Sequence, residues 1–304
     1  MDFGNDQKIL ASVIVLVLEL TSGMFLNVFI LVIIFYDFYK QKRMSNSNKI
    51  VCGLGISNVI YNLLMSAGLL DEFVGLRGSS AVDLSPMYHL LLLYSVGSCA
   101  WLTASLGGFY FVKISEAKLL SWIKFHLRSI VPWMLLVLEV VSLINSFISS
   151  LLFRSPLTSS GNITQAPPSV LRALAEDRAG LINAVLAVTS IPLAVAMLST
   201  LCTIWTLRRH SHKMERSRRT VDNGHLRSYM QVVCRITHFL LFYGIFYALM
   251  VISYFTIVAQ FALGLWITPM LMSCFTPVQS VLLILGNPRL KEAWKEMILY
   301  RAGC

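Results

Sequence analysis

Apolar positions along this chain gather into seven long runs, near 9–36, 49–70, 87–113, 129–153, 180–207, 229–258 and 262–286, with short polar stretches between them. Each run reaches the ~20 residues that a helix needs to cross a ~30 Å hydrocarbon layer. In hydrocarbon every backbone amide must be paired within its own segment, so long apolar runs of this kind form helices. The pattern predicts an all-α membrane protein, a seven-transmembrane helix bundle forming a single domain over residues 1–304. A sixth-to-seventh connection of a few residues predicts a tight hairpin there. Beyond Asn287 and Pro288, residues Leu290, Trp294, Met297 and Ile298 fall at i, i+4, i+7 and i+8. That spacing predicts a short amphipathic helix over 288–300, lying on one membrane face.

With 56% hydrophobic and 13% charged residues, the chain is too apolar for an ordinary soluble domain. Its net charge of +10 is concentrated between the runs, which suits loops facing anionic lipid and acidic partners and points away from nucleic acid. The 37–48 loop sets Lys40, Lys42 and Arg43 against Asp37, and the 114–128 loop sets Lys118, Lys124 and Arg128 against Glu116. The 208–228 loop is the most basic, with Arg208, Arg209, Lys213, Arg216, Arg218, Arg219 and Arg227. The 71–86 loop is net acidic, with Asp71, Glu72 and Asp83 against Arg77. The excess of Lys and Arg on one side predicts an external N-terminus and a cytoplasmic C-terminus. The acidic start, with Asp2 and Asp6, does not fit a cleaved secretory signal. Asn162-Ile163-Thr164 is a glycosylation sequon in the 154–179 loop, on the side predicted to be external.

Five cysteines (Cys52, Cys99, Cys202, Cys234 and Cys274) lie in apolar runs and Cys304 ends the chain, so no loop disulfide and no Cys-x-x-Cys metal site is expected. His210 and His212 in an arginine-rich loop make a poor metal site. No cofactor is expected.

Chemistry inside the spans is sparse, and therefore informative. Glu19, Gly23 and Asn27 are spaced by four and share one helix face, which should turn to the bundle interior because an ionisable group in lipid is costly. Glu139 stands among Leu and Val in the fourth run, as a candidate ligand contact or a packed interior group. The third run carries Trp101 and Thr103, whose N–H and hydroxyl need partners within the protein, and Gly107 and Gly108, which would admit close neighbours. It reads as a central helix enclosed by the others. Ile191-Pro192 predicts a break in the fifth helix, with freed backbone carbonyls. Phe246, Tyr247, Met250 and Tyr254 form an aromatic and methionine stripe on the sixth, adaptable enough for varied ligands.

Several stretches resemble the type 2 (bitter) taste receptors, which are seven-helix G-protein-coupled receptors. They are Glu19-x-x-x-Gly23-x-x-x-Asn27-x-Phe29-Ile30, Phe109-Tyr110-Phe111-x-Lys113-Ile114, Leu207-x-x-His210-x-x-x-Met214, Phe239-Leu240-Leu241-Phe242-Tyr243 and the run from Gln279-Ser280 to Asn287 and Lys291. They cover the first, third, fifth, sixth and seventh helices in order. The second helix is similar through Leu54-Gly55-Ile56-Ser57-Asn58, but Asn58 stands where that family usually has Arg. Gln279 stands where His is usual, and Pro277 lies one residue closer than expected, so the chain reads as a divergent branch.

The resemblance implies a plasma-membrane receptor that takes a small, mostly apolar organic ligand from outside and activates a heterotrimeric G protein of the gustducin/inhibitory type. The ligand would enter between the third, fifth, sixth and seventh helices, with Leu92, Val96, Cys99, Phe246, Tyr247, Met250 and Met272 as contacts chosen by helical position. Tyr110, Lys113, His210, Lys213 and Met214 would meet the G protein. Glu19, Asn27, Asn58 and Ser280 would form a structural polar network, and Asn162 matches the placement of the family's glycosylation site. Membrane lipids are the other partners, and dimer formation stays open. The nearest alternative is a vomeronasal type 1 pheromone receptor of the same architecture. A transporter or channel would carry internal repeats and several intramembrane charges, and neither is evident here. An intramembrane enzyme would need a nucleophile–base set that His238 and scattered cysteines do not supply.

Overall fold

The computed structural model describes residues 3–74, 85–115, 118–152, 168–216, 223–258 and 262–302, all but a few of them helical. The helices are α1 (Phe3–Gln41), α2 (Asn46–Val74), α3 (Ser85–Ile114), α4 (Lys118–Leu152), α5 (Pro168–Arg216), α6 (Asn223–Val258), α7 (Ala262–Gly286) and α8 (Pro288–Ala302). Among the described residues seven helices, α1 to α7, are long and apolar enough to cross a membrane. The chain is a multi-pass membrane protein, and each predicted run coincides with one of these helices.

Most helices run past the apolar runs. The stretch read as a 114–128 loop already belongs to α4 from Lys118, and α5 begins at Pro168 rather than near 180 and continues to Arg216. The physical reason is composition. The extension Leu171-Arg172-Ala173-Leu174-Ala175-Glu176 consists of strong helix formers, so helical hydrogen bonding does not stop where the hydrophobic stretch does. The sixth-to-seventh hairpin expected near 259–261 lies outside the described residues.

Helix ends are set by short polar side chains. Ser45 Oγ accepts the Asn48 amide at 3.1 Å and caps α2. Asn287 Oδ1 accepts the Arg289 amide at 3.1 Å, and Pro288 fills the first helical position of α8, where a missing N–H costs nothing. The amphipathic prediction for this helix holds: Leu290 is buried, and Trp294 meets Phe29 edge-on at 5.2 Å between ring centres. Arg289 Nη2 lies 3.0 Å from Asp37 Oδ1 and ties α8 to the end of α1. The hydrogen bond and the charge of Asp37 push the Arg289 guanidinium above its ordinary pKa.

Which face of each helix turns inward follows from where small and polar residues sit. On α1, Leu16, Leu20, Asn27, Ile30 and Ile34 are buried, while Ile14, Leu18, Phe25 and Val32 are exposed and would meet lipid acyl chains. On α4 most large residues point outward, and Ser142, Ser146 and Ser149 make a buried stripe of small side chains. Opposite them is Gly97 of α3, where a Cβ would stand 2.7 Å from Ser142 Oγ and 2.6 Å from Val188 Cγ1. Glycine is required there for α3, α4 and α5 to pack at this distance. Gly107 similarly faces α5, where a Cβ would stand 3.0 Å from Ser199 Oγ. Gly108 does not admit a neighbour, contrary to expectation: nothing lies within 4 Å of its Cβ position. One residue along a helix turns the side chain by about 100°, so only one of two adjacent glycines can face a given partner.

The enclosed helix is α3, as its sequence predicts. Buried residues make up 78% of its most apolar stretch, against 17% for α4. It packs on α2, α4 and α5, and α1, α7 and α6 complete the ring. Pro192, inside α5, removes the amide that would serve the Val188 carbonyl, and Asn145 Nδ2 of α4 donates to that carbonyl at 3.5 Å.

Candidate functional site

Enclosing α3 leaves space on its α5–α6–α7 side. One open cavity, about 630 Å³ counting the space at its mouth, lies among Val96, Ala100 and Thr103 of α3, Val185 to Ala196 of α5, Tyr243 to Met250 of α6, and Met272 and Phe275 of α7. Its walls are apolar, aromatic and thioether, with hydroxyls from Thr103, Thr189, Tyr61, Tyr243 and Tyr247, and among the described residues no charged side chain lines it. Phe275 anchors the aromatic side, with its ring 4.8 Å from Phe246, 5.5 Å from Tyr243 and 5.7 Å from Phe242. Tyr61 donates to the Met272 carbonyl at 2.8 Å, which fixes the α2–α7 wall.

A second cavity of about 730 Å³ lies toward the opposite end of the bundle, lined by Ser47, Val51, Leu106, Gly107, Tyr110, Thr200, Phe239, Leu283 and Asn287 among others. Thr103, Ala196 and Tyr243 line both cavities and stand between them. Thr103 Oγ1 and Tyr243 Oη are 2.7 Å apart, and Gln279 Nε2 donates to Tyr243 Oη at 2.6 Å and to Thr103 Oγ1 at 3.2 Å. Helices α3, α6 and α7 are joined through these three side chains.

Of the seven ligand-contact candidates, Val96, Phe246, Tyr247, Met250 and Met272 line the first cavity. Leu92 is buried and lies off the lining. Cys99 is turned toward α2, where its Sγ donates to Asn58 Oδ1 at 3.0 Å. Glu139 stands on the α3–α4 seam, accepting from Tyr94 Oη and Ser98 Oγ, each at 2.8 Å. Lining residues that the sequence did not single out include Tyr61, Val185, Leu186, Thr189, Leu193 and Phe275. Phe275 carried a signal, since it falls four residues before Gln279 on the same α7 face.

The polar candidates divide into separate contacts. Asn58 Nδ2 donates to Asn27 Oδ1 at 3.0 Å, and Asn27 Nδ2 donates to the Gly23 carbonyl at 2.7 Å. Glu19 accepts from Ser273 Oγ, and Ser280 donates back to the Thr276 carbonyl of its own helix. Asn62 Oδ1 accepts from Thr276 Oγ1 at 2.7 Å, a link between α2 and α7 that the sequence did not reveal. Thr103 has the partners expected for a hydroxyl in a span, whereas the buried indole N–H of Trp101 has no hydrogen-bond partner among the described residues.

Tyr110 and Lys113 lie together at the C-terminal end of α3, where Tyr110 Oη and Ser47 Oγ are 3.3 Å apart and Lys113 is exposed. The last turns of α5 carry His210, Lys213 and Met214, whose side chains lie outside what is described. Asn162 also lies outside the described residues.

A family profile described as "Taste receptor protein (TAS2R)" matches residues 5–302. The chain is similar to Taste receptor type 2 member 9 of Papio hamadryas, with 24% identity over 298 residues, covering 94% of this chain and 92% of the relative. It is similar to Taste receptor type 2 member 39 of Homo sapiens, with 25% identity over 296 residues, covering 94% and 85%. Taste receptor type 2 member 109 of Rattus norvegicus is 22% identical over 290 residues, covering 94% and 91%.

Proposed function

This chain belongs to the TAS2R family of taste receptors, a match that spans residues 5–302, and from that membership we propose how it recognises ligand and passes the signal on. It is a G-protein-coupled receptor rather than an enzyme. The pheromone-receptor alternative is not favoured, because the profile matched is a taste receptor profile.

The ligand-binding site we propose is the cavity between α3, α5, α6 and α7. The observation that carries this reading is its lining, which among the described residues is apolar and aromatic, holds hydroxyls at a few points and contains no charge. Such a site is suited to a small, mostly apolar, uncharged organic molecule, with orientation fixed by one or two hydroxyl contacts. Val96, Phe246, Tyr247, Met250 and Met272 are the proposed contacts. Leu92 and Cys99 lie off this lining, Cys99 toward Asn58 on α2. Flexible methionines at Met250 and Met272 favour breadth of recognition over tight fit.

The N-terminus is taken as external and the C-terminus as cytoplasmic at the plasma membrane, an orientation supported by the basic residues of the 37–48, 114–128 and 208–228 stretches. In that orientation the proposed ligand cavity faces outward, and Asn162 is available for glycosylation. Tyr110, Lys113, His210, Lys213 and Met214 fall at the cytoplasmic end, and we assign them to contact with a heterotrimeric G protein of the gustducin/inhibitory type. Asn27 and Asn58 hold α1 to α2, and Glu19 and Ser280 support α7, as the structural polar set. Ligand drives signalling only through its differential affinity for two arrangements of the bundle.

Calcium release in cells co-expressing the chain and a promiscuous Gα chimera, across a panel of uncharged bitter compounds, tests the proposal. A dose-dependent signal that disappears in Tyr110→Ala at unchanged surface expression supports it. Silence across the panel, with the chain at the surface, refutes it.

A further inference from the structure

The contact between the two cavities has an unusual hydrogen-bond balance. Thr103 commits its hydroxyl proton to the Cys99 carbonyl at 2.8 Å. The 2.7 Å contact with Tyr243 must therefore be donated by the tyrosine. Gln279 supplies amide protons to both oxygens, and its own Oε1, fully buried, has no partner. Turning the amide around would let Tyr243 donate to Oε1 but would leave the amide N–H group over instead. Either way at least one buried polar group of the cluster lacks a partner among the described residues. A buried cluster that is strong between helices yet incompletely satisfied is suited to two arrangements of similar free energy.

We propose that Gln279 is a positioning residue that sets the receptor's resting activity by holding Tyr243 of α6 against Thr103 of α3. This inference rests on the receptor reading above. In the held state Thr103 and Tyr243, with Ala196, form the partition between the proposed ligand cavity and the cavity that ends at Tyr110. Release of Tyr243 frees α6 from α3 and α7 at this level and joins the two spaces. A ligand that crowds Thr103 or Tyr243 from the first cavity favours release. Gln279 lines neither cavity, so it acts through Tyr243 and makes no ligand contact of its own.

The test compares Gln279→Leu, Tyr243→Phe and the double variant of the full chain, reading ligand-free G-protein activation per receptor at the cell surface. Each single variant removes two of the cluster's three interhelical hydrogen bonds, and at the modest average strength of such bonds in membranes this shifts a two-state equilibrium by up to about tenfold. Since a resting receptor populates its active state at a few per cent or less, basal activation should rise by up to about tenfold in each single variant. The two substitutions share the Gln279–Tyr243 contact, so the double variant, which loses only one bond more than either single, should fall well short of the product of the singles. A purely structural role would lower surface expression without raising activity per receptor. Unchanged or reduced basal activity in both singles, or a multiplicative double, overturns the proposal. If Gln279→Leu fails to reach the surface, Tyr243→Phe, which removes a single oxygen, decides alone. The wild-type response to the bitter panel separates the two levels. A responsive wild type with unaltered variants refutes the positioning role only, and a silent wild type removes the receptor reading and the role with it.

Discussion

Asn27 and Asn58 give the most direct energetic test of how this bundle is held. Both side chains are fully buried between α1 and α2, and Asn58 Nδ2 donates to Asn27 Oδ1 at 3.0 Å. Asn27→Leu conserves volume but leaves the Asn58 amide without its acceptor. Asn58→Leu leaves Asn27 Oδ1 without a donor and the Cys99 thiol without the Asn58 oxygen it meets at 3.0 Å. A stranded buried polar group costs about 1–3 kcal/mol. Interhelical hydrogen bonds in membranes average nearer ~0.6 kcal/mol, because partly unfolded helices in lipid find other partners. Each single variant should therefore lose about 1–2 kcal/mol. The double variant strands neither group, apart from the weakly donating thiol, and should lose clearly less than the sum, with a coupling of about 1 kcal/mol. Reversible unfolding in mixed micelles by SDS titration measures all three. Additivity within ~0.3 kcal/mol would refute the view that this pair joins the helices and would reduce the two asparagines to independent fillers.

Gly97→Val should lower the yield of folded receptor severely, since a Cβ at 2.6 Å from Val188 Cγ1 forces α3 and α5 apart; size-exclusion profiles of the detergent-solubilised protein give the reading. Gly23→Val should do the same to the α1–α7 contact, where a Cβ meets Thr276 Oγ1 at 2.6 Å, whereas Gly108→Ala, with nothing within 4 Å, should fold like the wild type. Asp37→Asn should loosen α8 by only about 0.5 kcal/mol, because Arg289 keeps 47% of its side chain exposed and water screens the pair. A guanidinium is charged throughout the neutral range with or without Asp37, so this contribution stays constant there; because the folded pKa is raised, the Arg289 part of it is lost as pH rises through the folded value, far into the alkaline range. Limited proteolysis after α7 at pH 6 and pH 8 should give equal rates.

The number of helices, the enclosed position of α3 and the amphipathic α8 were legible because membrane insertion depends on run length and α8 on period. The Asn27–Asn58 contact was legible because an amide in a span must find a partner. What could not be read was rotation about the axis of a helix that is apolar all round. Ala100 lines the proposed ligand cavity while Cys99, one residue earlier and about 100° away, faces Asn58 on α2. Small and apolar residues cover both of those faces of α3, so the sequence holds no contrast that tells one from the other, and position alone groups Leu92 and Cys99 with Val96. Glu139 is ambiguous in the sequence for a related reason: the run places it within a span but leaves its facing open, and its two oxygens are occupied by Tyr94 and Ser98. Asp37 and Arg289 were hidden by separation, since charges 252 residues apart toward opposite ends of the chain read as solvated loop residues.

The central claim is that ligand occupies the space among α3, α5, α6 and α7, and filling that space tests it. Val96→Trp adds a large side chain to a position on the cavity wall while leaving the polar contacts of α3 in place. Agonist dose–response curves for wild type and variant, at matched surface expression and with the same promiscuous Gα chimera, give the comparison. The account predicts a loss of agonist potency of at least about tenfold in Val96→Trp, with potency read relative to each receptor's own ligand-free baseline. Full potency retained in the filled receptor would contradict it and move the ligand elsewhere in the bundle.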